Sequence, residues 1–187
     1  MDNKMNTTTE KMILYDGAPS HEGRYDKEMA VYRLLSQLDI PFKRVDHEPM
    51  MTVDACRDID QILNIEICKN LFLCNSQKTK FFLVMLPGDK RFDTKTFCKQ
   101  ISSPRLSFAS EEYMLKYLNI TPGSVSVMGL MNDKDNVVSL YIDKDVFVKE
   151  ELGCHPCINT SSLKMKTKDL IDKFLPAIGH SYTIVEL

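Results

Sequence analysis

Two short apolar runs joined by a polar link place the strongest constraint on the fold of this chain. Residues 71–74 and 81–86 are apolar throughout, whereas residues 75–80 between them are polar. Such a pair of runs indicates a β-hairpin. Because neither run alternates apolar with polar residues, we expect both faces of this strand pair to be covered by other parts of the chain.

Helices and further strands are predicted on either side of this hairpin. Apolar residues at helical spacing predict a helix over 26–38, which ends because Pro41 lacks a backbone donor and restricts the residue before it. Other helices are predicted after a Thr52 N-cap, over 94–101, from Ser110 onward and over 167–177. Further strands are predicted over 42–45, 125–131, 137–142, 158–165 and 182–185. Since no regular βαβ alternation is present, the predicted fold class is α+β, with a mixed, mostly antiparallel sheet flanked by helices.

Length and composition place the chain among ordinary globular domains. It has 187 residues, 43% of them hydrophobic and 27% charged, which excludes disordered, collagen-like and disulfide-miniprotein classes. The polar, irregular start predicts a partly flexible N-terminal extension over 1–24, followed by one domain over 25–187. No apolar run approaches the ~20 residues that span a bilayer, and no signal peptide is evident. We therefore expect a cytoplasmic protein whose six cysteines are reduced thiols.

Cys154 and Cys157 form a C-x-x-C pair, a spacing found in zinc and redox sites. A structural zinc site needs four ligands, usually two such pairs, and the other cysteines are scattered along the chain. We therefore predict no metal and no cofactor, and we keep a thiol-based metal or redox protein as a minor alternative. His21, His47 and His180 stand alone in the sequence, which favours surface or hydrogen-bonded histidines over catalytic ones.

Three places break the local pattern. Lys69 and Asn70 stand at the threshold of an apolar strand, where a lysine either reaches water as an edge-strand gatekeeper or faces a polar cleft. Gly129 interrupts the strand predicted over 125–131, which indicates a bulge, the close approach of a ligand, or a plain hairpin. The loop over 153–160 carries a histidine, a proline, an asparagine and a threonine, and such a loop can fix polar groups at the mouth of a pocket.

Six short blocks occur in order along the chain and carry a family resemblance. They are Lys69-Asn70-Leu71-Phe72-Leu73, Leu86-Pro87-Gly88-Asp89-Lys90-Arg91, Leu106-Ser107-Phe108-Ala109-Ser110, Thr121-Pro122-Gly123-Ser124-Val125, Gly129-Leu130-Met131-Asn132-Asp133 and Gly153-x-His155-Pro156-x-x-Asn159-Thr160. Together they closely resemble the YbaK/ProX-type aminoacyl-tRNA deacylase domain, which also occurs as the editing insertion of bacterial prolyl-tRNA synthetases. The resemblance covers about residues 25–187. Because no synthetase catalytic domain accompanies it, the chain looks like a freestanding member that acts in trans.

The resemblance implies an α+β fold and hydrolysis of a mischarged aminoacyl-tRNA to free amino acid and tRNA. The His-Pro-x-x-Asn-Thr type of loop goes with the branch that removes alanine from proline tRNA. Alanyl-tRNA(Pro) is therefore the expected substrate, and cysteinyl-tRNA(Pro) is the alternative. Such an activated ester requires a positioned water and stabilisation of the oxyanion rather than a covalent nucleophile. We expect a size sieve that admits alanine and excludes proline.

The family pattern also implies roles for particular residues. Lys69 is the expected essential catalytic residue. His155 is the second, in the pocket wall against the aminoacyl group, with a general-base role as the alternative. Backbone N–H groups at Gly129 and its neighbours are expected to bind the carbonyl oxygen. The expected substrate-binding residues are Asn70, Ser126, Gly129, Asn132, Asp133, Asn159 and Thr160.

The implied partners are the acceptor end of aminoacylated proline tRNA and, as a second candidate, prolyl-tRNA synthetase, with no membrane partner. The formal net charge is −2 and the isoelectric point about 6.1, so the tRNA must be held by local cations. The candidates are the pairs Lys43/Arg44, Lys78/Lys80 and Lys90/Arg91. The main rival function is a non-catalytic module of the same fold that binds tRNA, a synthetase or an amino acid.

Overall fold

The computed structural model describes residues 12–49 and 53–187, including side chains except at residues 53–56. In this part of the chain the helices are α1 (Asp26–Gln37), α2 (Val53–Leu63), α3 (Thr94–Gln100), α4 (Glu111–Tyr113), α5 (Lys144–Phe147), α6 (Thr167–Asp169) and α7 (Leu175–Ala177). The strands are β1 (Leu14–Asp16), β2 (Phe42–Asp46), β3 (Lys69–Asn75), β4 (Phe81–Leu86), β5 (Leu106–Phe108), β6 (Val138–Asp143), β7 (Glu151–Cys154), β8 (Ser161–Lys166) and β9 (Tyr182–Val185). Two π-helical turns, Met114–Leu118 and Leu170–Phe174, extend α4 and join α6 to α7. No helix described here is long and apolar enough to cross a membrane.

The strands form two sheets. One has the order β1-β2-β8-β7, with every neighbouring pair antiparallel. The other has the order β5-β3-β4-β6-β9, antiparallel from β5 to β4 and parallel from β4 to β9. A parallel bridge joins Ile67, just before β3, to Gly153 of β7. The predicted α+β class with mixed, mostly antiparallel pairing is confirmed, with two sheets in place of one.

The predicted hairpin is formed by β3 and β4. Their antiparallel register runs from Lys69 opposite Leu86 to Cys74 opposite Phe81. Every residue of β4 is buried, as its continuous apolar sequence predicts. The tight turn between the strands places Lys78 in the left-handed backbone region, with φ of 55°.

Two apolar clusters cover the two faces of the hairpin, because successive side chains of a strand point to opposite faces. Phe72 and Cys74 pack in the main core. Leu71 and Leu73 pack on the other face, against α3. We call this second group the α3 cluster; its buried members are Leu73, Phe82, Val84, Phe97, Leu106 and Val185.

The strand predicted over 125–131 is wrong, because Val127–Asn132 form a 3₁₀ helix. The Ser126 hydroxyl caps this helix by accepting a hydrogen bond from the Met128 N–H at 3.2 Å. Residues 127–130 are all buried. A short run of continuously apolar residues does not distinguish a buried strand from a buried helix.

Most other predicted elements are present with shifted ends. The helix predicted over 167–177 consists of α6, a π-helical turn and α7, and β8 begins at Ser161 instead of residue 158. The predicted cap Thr52 lies outside the described residues. Strand β1 lies within the predicted N-terminal extension and pairs with β2, so residues 14–16 belong to a sheet.

Candidate active site

A gap in the outer edge of β3 is the centre of the candidate site. On one side of the gap the Cys68 N–H donates to the Gly153 carbonyl at 2.9 Å, and on the other the Ala109 N–H donates to the Phe72 carbonyl at 2.9 Å. Backbone groups of alternate strand residues point to the same edge, so the N–H and C=O of Asn70 point into the gap. Within residues 12–49 and 53–187, neither group has a hydrogen-bond partner. The gap therefore offers one donor and one acceptor to a ligand.

The side chain of Asn70 adds an unsatisfied acceptor to the gap. Its Nδ2 donates to the Cys68 carbonyl at 3.1 Å, whereas its Oδ1 is buried without a partner in the described chain. Buried polar atoms are nearly always paired, and an exception points to a ligand or water that completes the site. By the alternation of β3, this side chain lies on the main-core face, which also contains Cys154 of β7.

Lys69 directs its ammonium group to the opposite face. It alternates with Asn70 and shares its face with Leu71 and Leu73 of the α3 cluster. Its Nζ donates to the Lys90 carbonyl at 3.0 Å, and no carboxylate of the described residues lies within salt-bridge distance of it. A half-buried lysine without a counter-charge is able to bind an anion or a developing oxyanion. The gap thus lies between an ammonium group on one face and an amide on the other.

The turn after β4 fixes the carbonyl that Lys69 contacts. Gly88 lies so close to Ile67 that an added Cβ would be 2.6 Å from the Ile67 carbonyl oxygen, so a larger residue does not fit there. The Nζ of Lys90 donates to both oxygens of the buried Asp143 at 3.0 Å and to Asp145 at 2.7 Å. Because two carboxylates match its charge, the prediction that Lys90 contacts tRNA is not supported.

The loop after β7 begins beside the gap and carries His155. The Nδ1 of His155 lies 3.0 Å from the Ser161 carbonyl oxygen, which only accepts, so Nδ1 carries the proton and Nε2 is the acceptor of the neutral ring. The fully buried Ser126 donates its hydroxyl to the His155 backbone carbonyl at 2.5 Å. Ser126, predicted to bind substrate, therefore anchors the loop through the backbone carbonyl of His155.

His47 was interpreted from the sequence as an isolated histidine, and the structure places it against His155. The two rings are edge to face with centroids 6.4 Å apart. Both reach the Ser162 hydroxyl, at 2.9 Å from His47 Nε2 and 3.4 Å from His155 Nδ1. Burial lowers the pKa of both imidazoles, and the His47 ring lowers the pKa of His155 further, against the effect of the Ser161 carbonyl. Both rings are therefore mainly neutral at pH 7.

Asn159 and Thr160 end the loop and are half-buried. The Thr160 carbonyl accepts the His47 N–H at 3.0 Å, which ties the loop to the end of β2. The Asn159 Nδ2 lies 3.7 Å from the position that a Cβ of Gly123 would occupy, so it faces the turn before the 3₁₀ helix. Both remain predicted substrate-binding residues.

Gly129 and Asn132 are engaged in contacts within the fold. The Gly129 N–H donates to the Ser126 carbonyl at 3.0 Å, so it is not available to a substrate carbonyl. The Asn132 Nδ2 donates to the carbonyls of Leu118 and Gly129, at 2.9 and 3.2 Å. An added Cβ on Gly129 would lie 2.5 Å from Ile120 Cδ1. This glycine allows the 3₁₀ helix to pack closely on the segment after α4.

Asp133 also has its polar groups satisfied internally. It is buried, and its carboxylate accepts the N–H groups of Val137 at 3.1 Å and Val138 at 2.7 Å. His180 Nε2 lies 3.6 Å from the same carboxylate. These contacts tie the end of the 3₁₀ helix to the start of β6. Its contacts do not support the predicted role in substrate binding.

The other predicted tRNA contacts divide into buried and exposed residues. Arg44 is buried, pairs with Asp46 and lies over the Tyr15 ring at 4.4 Å from the centroid, so it does not face a tRNA. Lys43 is exposed and lies 4.0 Å from the Asp16 carboxylate. The exposed candidates that remain are Lys43, Lys78, Lys80 and Arg91.

Cys154 and Cys157 pack as core residues. Burial raises the pKa of both thiols, that of Cys157 to about 12, and raises the pKa of Cys68 to about 11. The thiolate is the reactive and metal-binding form, so these environments disfavour both kinds of chemistry. In the part of the chain that the structure describes, no group of three or more His, Cys, Asp and Glu side chains is placed to hold a metal ion.

The chain is similar to proteins and domains whose names refer to aminoacyl-tRNA editing or to prolyl-tRNA synthetase. A family model described as the aminoacyl-tRNA editing domain matches residues 47–173. The prolyl-tRNA editing protein ProX of Acetoanaerobium sticklandii is 34% identical over 163 residues, which is 87% of this chain and 98% of that protein. The prolyl-tRNA synthetase associated domain-containing protein 1 of Danio rerio is 25% identical over 162 residues, 86% of this chain and 87% of that protein. A solved structure described as a candidate trans-editing enzyme for prolyl tRNA synthetase has a TM-score of 0.64 at 16% identity, covering 88% of this chain and 98% of that one.

The fold is thus that of an editing domain, with a strand edge left open between a lysine and a histidine-bearing loop. The chain belongs to the aminoacyl-tRNA editing domain family, because the family model covers more than half of it and ProX matches nearly all of it. This membership confirms the resemblance stated from the sequence and the enzyme class that it implied, an aminoacyl-tRNA deacylase.

Proposed function

We propose that this chain hydrolyses alanyl-tRNA(Pro) in trans, releasing alanine and free tRNA. The observation that carries the proposal is the open edge of β3. There the Asn70 N–H, C=O and Oδ1 have no hydrogen-bond partner among the described residues, and the nearby Lys69 has no carboxylate partner among them. ProX, named as a prolyl-tRNA editing protein, supports proline tRNA as the carrier. The His-Pro-x-x-Asn-Thr loop supports alanine as the amino acid removed.

The reaction requires water and no covalent intermediate. The water oxygen adds to the ester carbonyl carbon, which places negative charge on the carbonyl oxygen. The C–O bond to the ribose then breaks, and the ribose oxygen takes up a proton. We assign the Asn70 N–H as the donor to the oxyanion in place of Gly129, whose N–H is already used. A preorganised donor of this kind contributes about 10²–10³-fold to the rate.

Lys69 and His155 complete the site. The Lys69 ammonium supplies positive charge near the ribose or its phosphate, on the face of the edge away from Asn70. Neutral His155 contacts the aminoacyl group, and its Nε2 lone pair is able to orient the attacking water. Asn70 Oδ1 provides an acceptor for the substrate ammonium group.

Discrimination against proline follows from a rigid wall. The loop over 153–160 is held by Ser126 and Ser161, contains a left-handed residue at Cys157 (φ 64°), and buries Pro156. A rigid wall leaves room for the small side chain of alanine and excludes the proline ring, so the correctly charged tRNA is not hydrolysed. The proposed setting is the cytoplasm, with prolyl-tRNA synthetase as a further candidate partner.

The test is hydrolysis of proline tRNA charged separately with alanine, cysteine, serine and proline. Wild type is compared with Lys69→Ala and with the matched control Lys168→Ala, an exposed lysine on α6. Loss of alanine alone, abolished by Lys69→Ala and retained in Lys168→Ala, is expected. Loss of cysteine instead moves the protein to the sister branch. Intact tRNA binding without hydrolysis of any ester makes it a binding module.

A further inference from the structure

A cavity between α3 and β5 lies outside the groups used so far. It has a volume of about 750 Å³ and is lined by Phe92, Lys95, Cys98, Arg105 and Leu106, among others. Ligand sites typically have volumes of about 300–1,000 Å³. Lys95 and Arg105 are exposed, and neither forms an ion pair with any described residue. The cavity wall therefore combines an aromatic ring with two exposed cations.

Asp93, the acidic residue in the wall, interacts electrostatically with Lys95, and both of its carboxylate oxygens are hydrogen-bonded within the first turn of α3. One oxygen of Asp93 accepts the Lys95 backbone N–H at 3.0 Å, and the other accepts the Thr96 hydroxyl at 2.7 Å. This carboxylate caps α3, and the Thr96 and Lys95 hydrogen bonds lower its pKa. Its hydrogen-bonding capacity is directed at the helix and away from the open part of the cavity.

The cavity lies on the same face of the sheet as Lys69. Phe92 packs in the α3 cluster with Leu71, which is two residues after Lys69 on β3. The Lys69 Nζ contacts the carbonyl of Lys90, and Phe92 follows two residues later. Phe92 thus connects one wall of the cavity to the Lys69 end of β3, whereas Leu106 in the other wall pairs with Asn75 at the far end of that strand. The cavity therefore extends along β3 from the Lys69 end, over a distance that several nucleotides span.

We propose that this cavity binds the single-stranded 3′-terminal nucleotides of the tRNA, a placement that rests on the proposed function. Phe92 offers an aromatic surface for a base, and Lys95 and Arg105 bind phosphates, which is the combination that single-stranded nucleic acid requires. The charged ester then crosses the open edge at Asn70. Its nucleotide lies on the Lys69 face, and its aminoacyl group reaches the His155 loop on the other.

The test combines a binding and a kinetic measurement. An RNA oligonucleotide ending in CCA is titrated against wild type, the Lys95→Gln/Arg105→Gln double variant, Phe92→Leu and the matched control Lys99→Gln. Lys99 is exposed on the same helix and does not line the cavity. We expect the double variant to bind at least about tenfold more weakly, because hydrogen bonds to charged groups are lost. We expect Phe92→Leu to bind about fivefold more weakly or worse, because base stacking is lost, and Lys99→Gln to match wild type.

The same variants are assayed on alanyl-tRNA(Pro). In the double variant the effect falls on KM, and the slope of log(kcat/KM) against log salt flattens by about 0.7 for each lost phosphate contact. Wild-type binding and KM in the double variant and in Phe92→Leu overturn the cavity assignment while leaving the deacylase proposal intact. If wild type hydrolyses no ester but binds the oligonucleotide through these residues, the deacylase proposal fails and the nucleotide site stands.

Discussion

The two ends of the five-stranded sheet use similar residues in opposite ways. At one end, Asn70 leaves its backbone groups and Oδ1 without partners in the described chain. At the other end, both carboxylate oxygens of Asp133 accept backbone N–H groups of Val137 and Val138. The ends are five residues of β4 apart, since Lys69 pairs with Leu86 and Val138 with Phe81. This corresponds to about 16 Å.

At these two ends, the unsatisfied polar groups lie at the end that we assign to the site. An unpaired buried oxygen alone does not mark a site, since Glu28 Oε2 and Thr167 Oγ1 also have no partner in the described chain. Both ends carry short polar motifs next to apolar runs, and the family resemblance assigns both to substrate binding. Burial without a partner is costly, and at Asn70 the adjoining open strand edge lets a ligand complete the hydrogen bonds. Paired groups such as the Asn132 Nδ2 instead stabilise the fold.

The largest expected effect at the satisfied end is that of Asp133→Ala. It leaves the N–H groups of Val137 and Val138 without acceptors, so we expect a loss of about 3 kcal/mol in the free energy of unfolding. Urea unfolding measures this loss, with the exposed Asp135→Ala in the same turn as the control. The deacylation rate per folded molecule stays within about twofold of wild type. A large drop in that rate at unchanged stability would return Asp133 to the active site.

A smaller loss is expected for Gly129→Ala. The new methyl group would lie 2.5 Å from Ile120 Cδ1 and 3.0 Å from Leu118 Cβ, and such overpacking costs about 1–3 kcal/mol. Adding Ile120→Val removes the closest atom, so the double variant is expected to be more stable than the sum of the single effects predicts. Strict additivity in unfolding measurements would show that the close approach is not the cause.

The smallest effect concerns pH and the functional end. The folded-state pKa of His155 lies below the unfolded value of 6.5, because burial disfavours the charged ring. The unfolded chain therefore binds more protons just below pH 6.5, and stability falls as the pH falls through that value. We expect His155→Asn, which keeps a donor for the Ser161 carbonyl, to lose less stability than wild type between pH 7.5 and 5.5. If wild type and His155→Asn lost the same stability over this pH range, the His155 imidazole would be solvent-exposed instead of buried.

The hairpin was predictable because its signal is local, whereas the role of Lys69 follows from the family resemblance and stays a prediction. The apolar runs give β3 and β4, and a lysine at the start of such a strand is unusual. The open edge at Asn70 was not predictable, since it depends on how Gly153 and Ala109 approach β3 from distant parts of the chain. His47 was missed for the same reason, because pairing of β2 with β8 brings it to Ser162 and His155.

The end of the sheet near Asp133 shows the opposite limit of prediction from sequence. The residues from Gly129 to Asp133 form a recognisable block, but their sequence does not reveal whether their polar groups face a ligand or the fold. The same run of apolar residues predicted a strand, whereas the Ser126 cap and the close contact at Gly129 produce a 3₁₀ helix. Tertiary packing determines both where these polar groups point and which element the run forms. Neither can be read from the local spacing of apolar residues.

The same substitution at both ends of the sheet, Asn70→Ala and Asn132→Ala, distinguishes the functional end from the structural end. Each wild-type side chain donates from its Nδ2 to backbone carbonyls, so the two variants remove the same kind of hydrogen bond, from a half-buried position at Asn70 and an exposed one at Asn132. Stability and kcat/KM for alanyl-tRNA(Pro) are measured side by side.

For Asn70→Ala we expect at least about a tenfold loss of kcat/KM with stability within about 1 kcal/mol of wild type. For Asn132→Ala we expect a loss of about 1–2 kcal/mol of stability with kcat/KM retained. The reverse pattern, with activity lost at Asn132 and stability lost at Asn70, would contradict the assignment of the two ends.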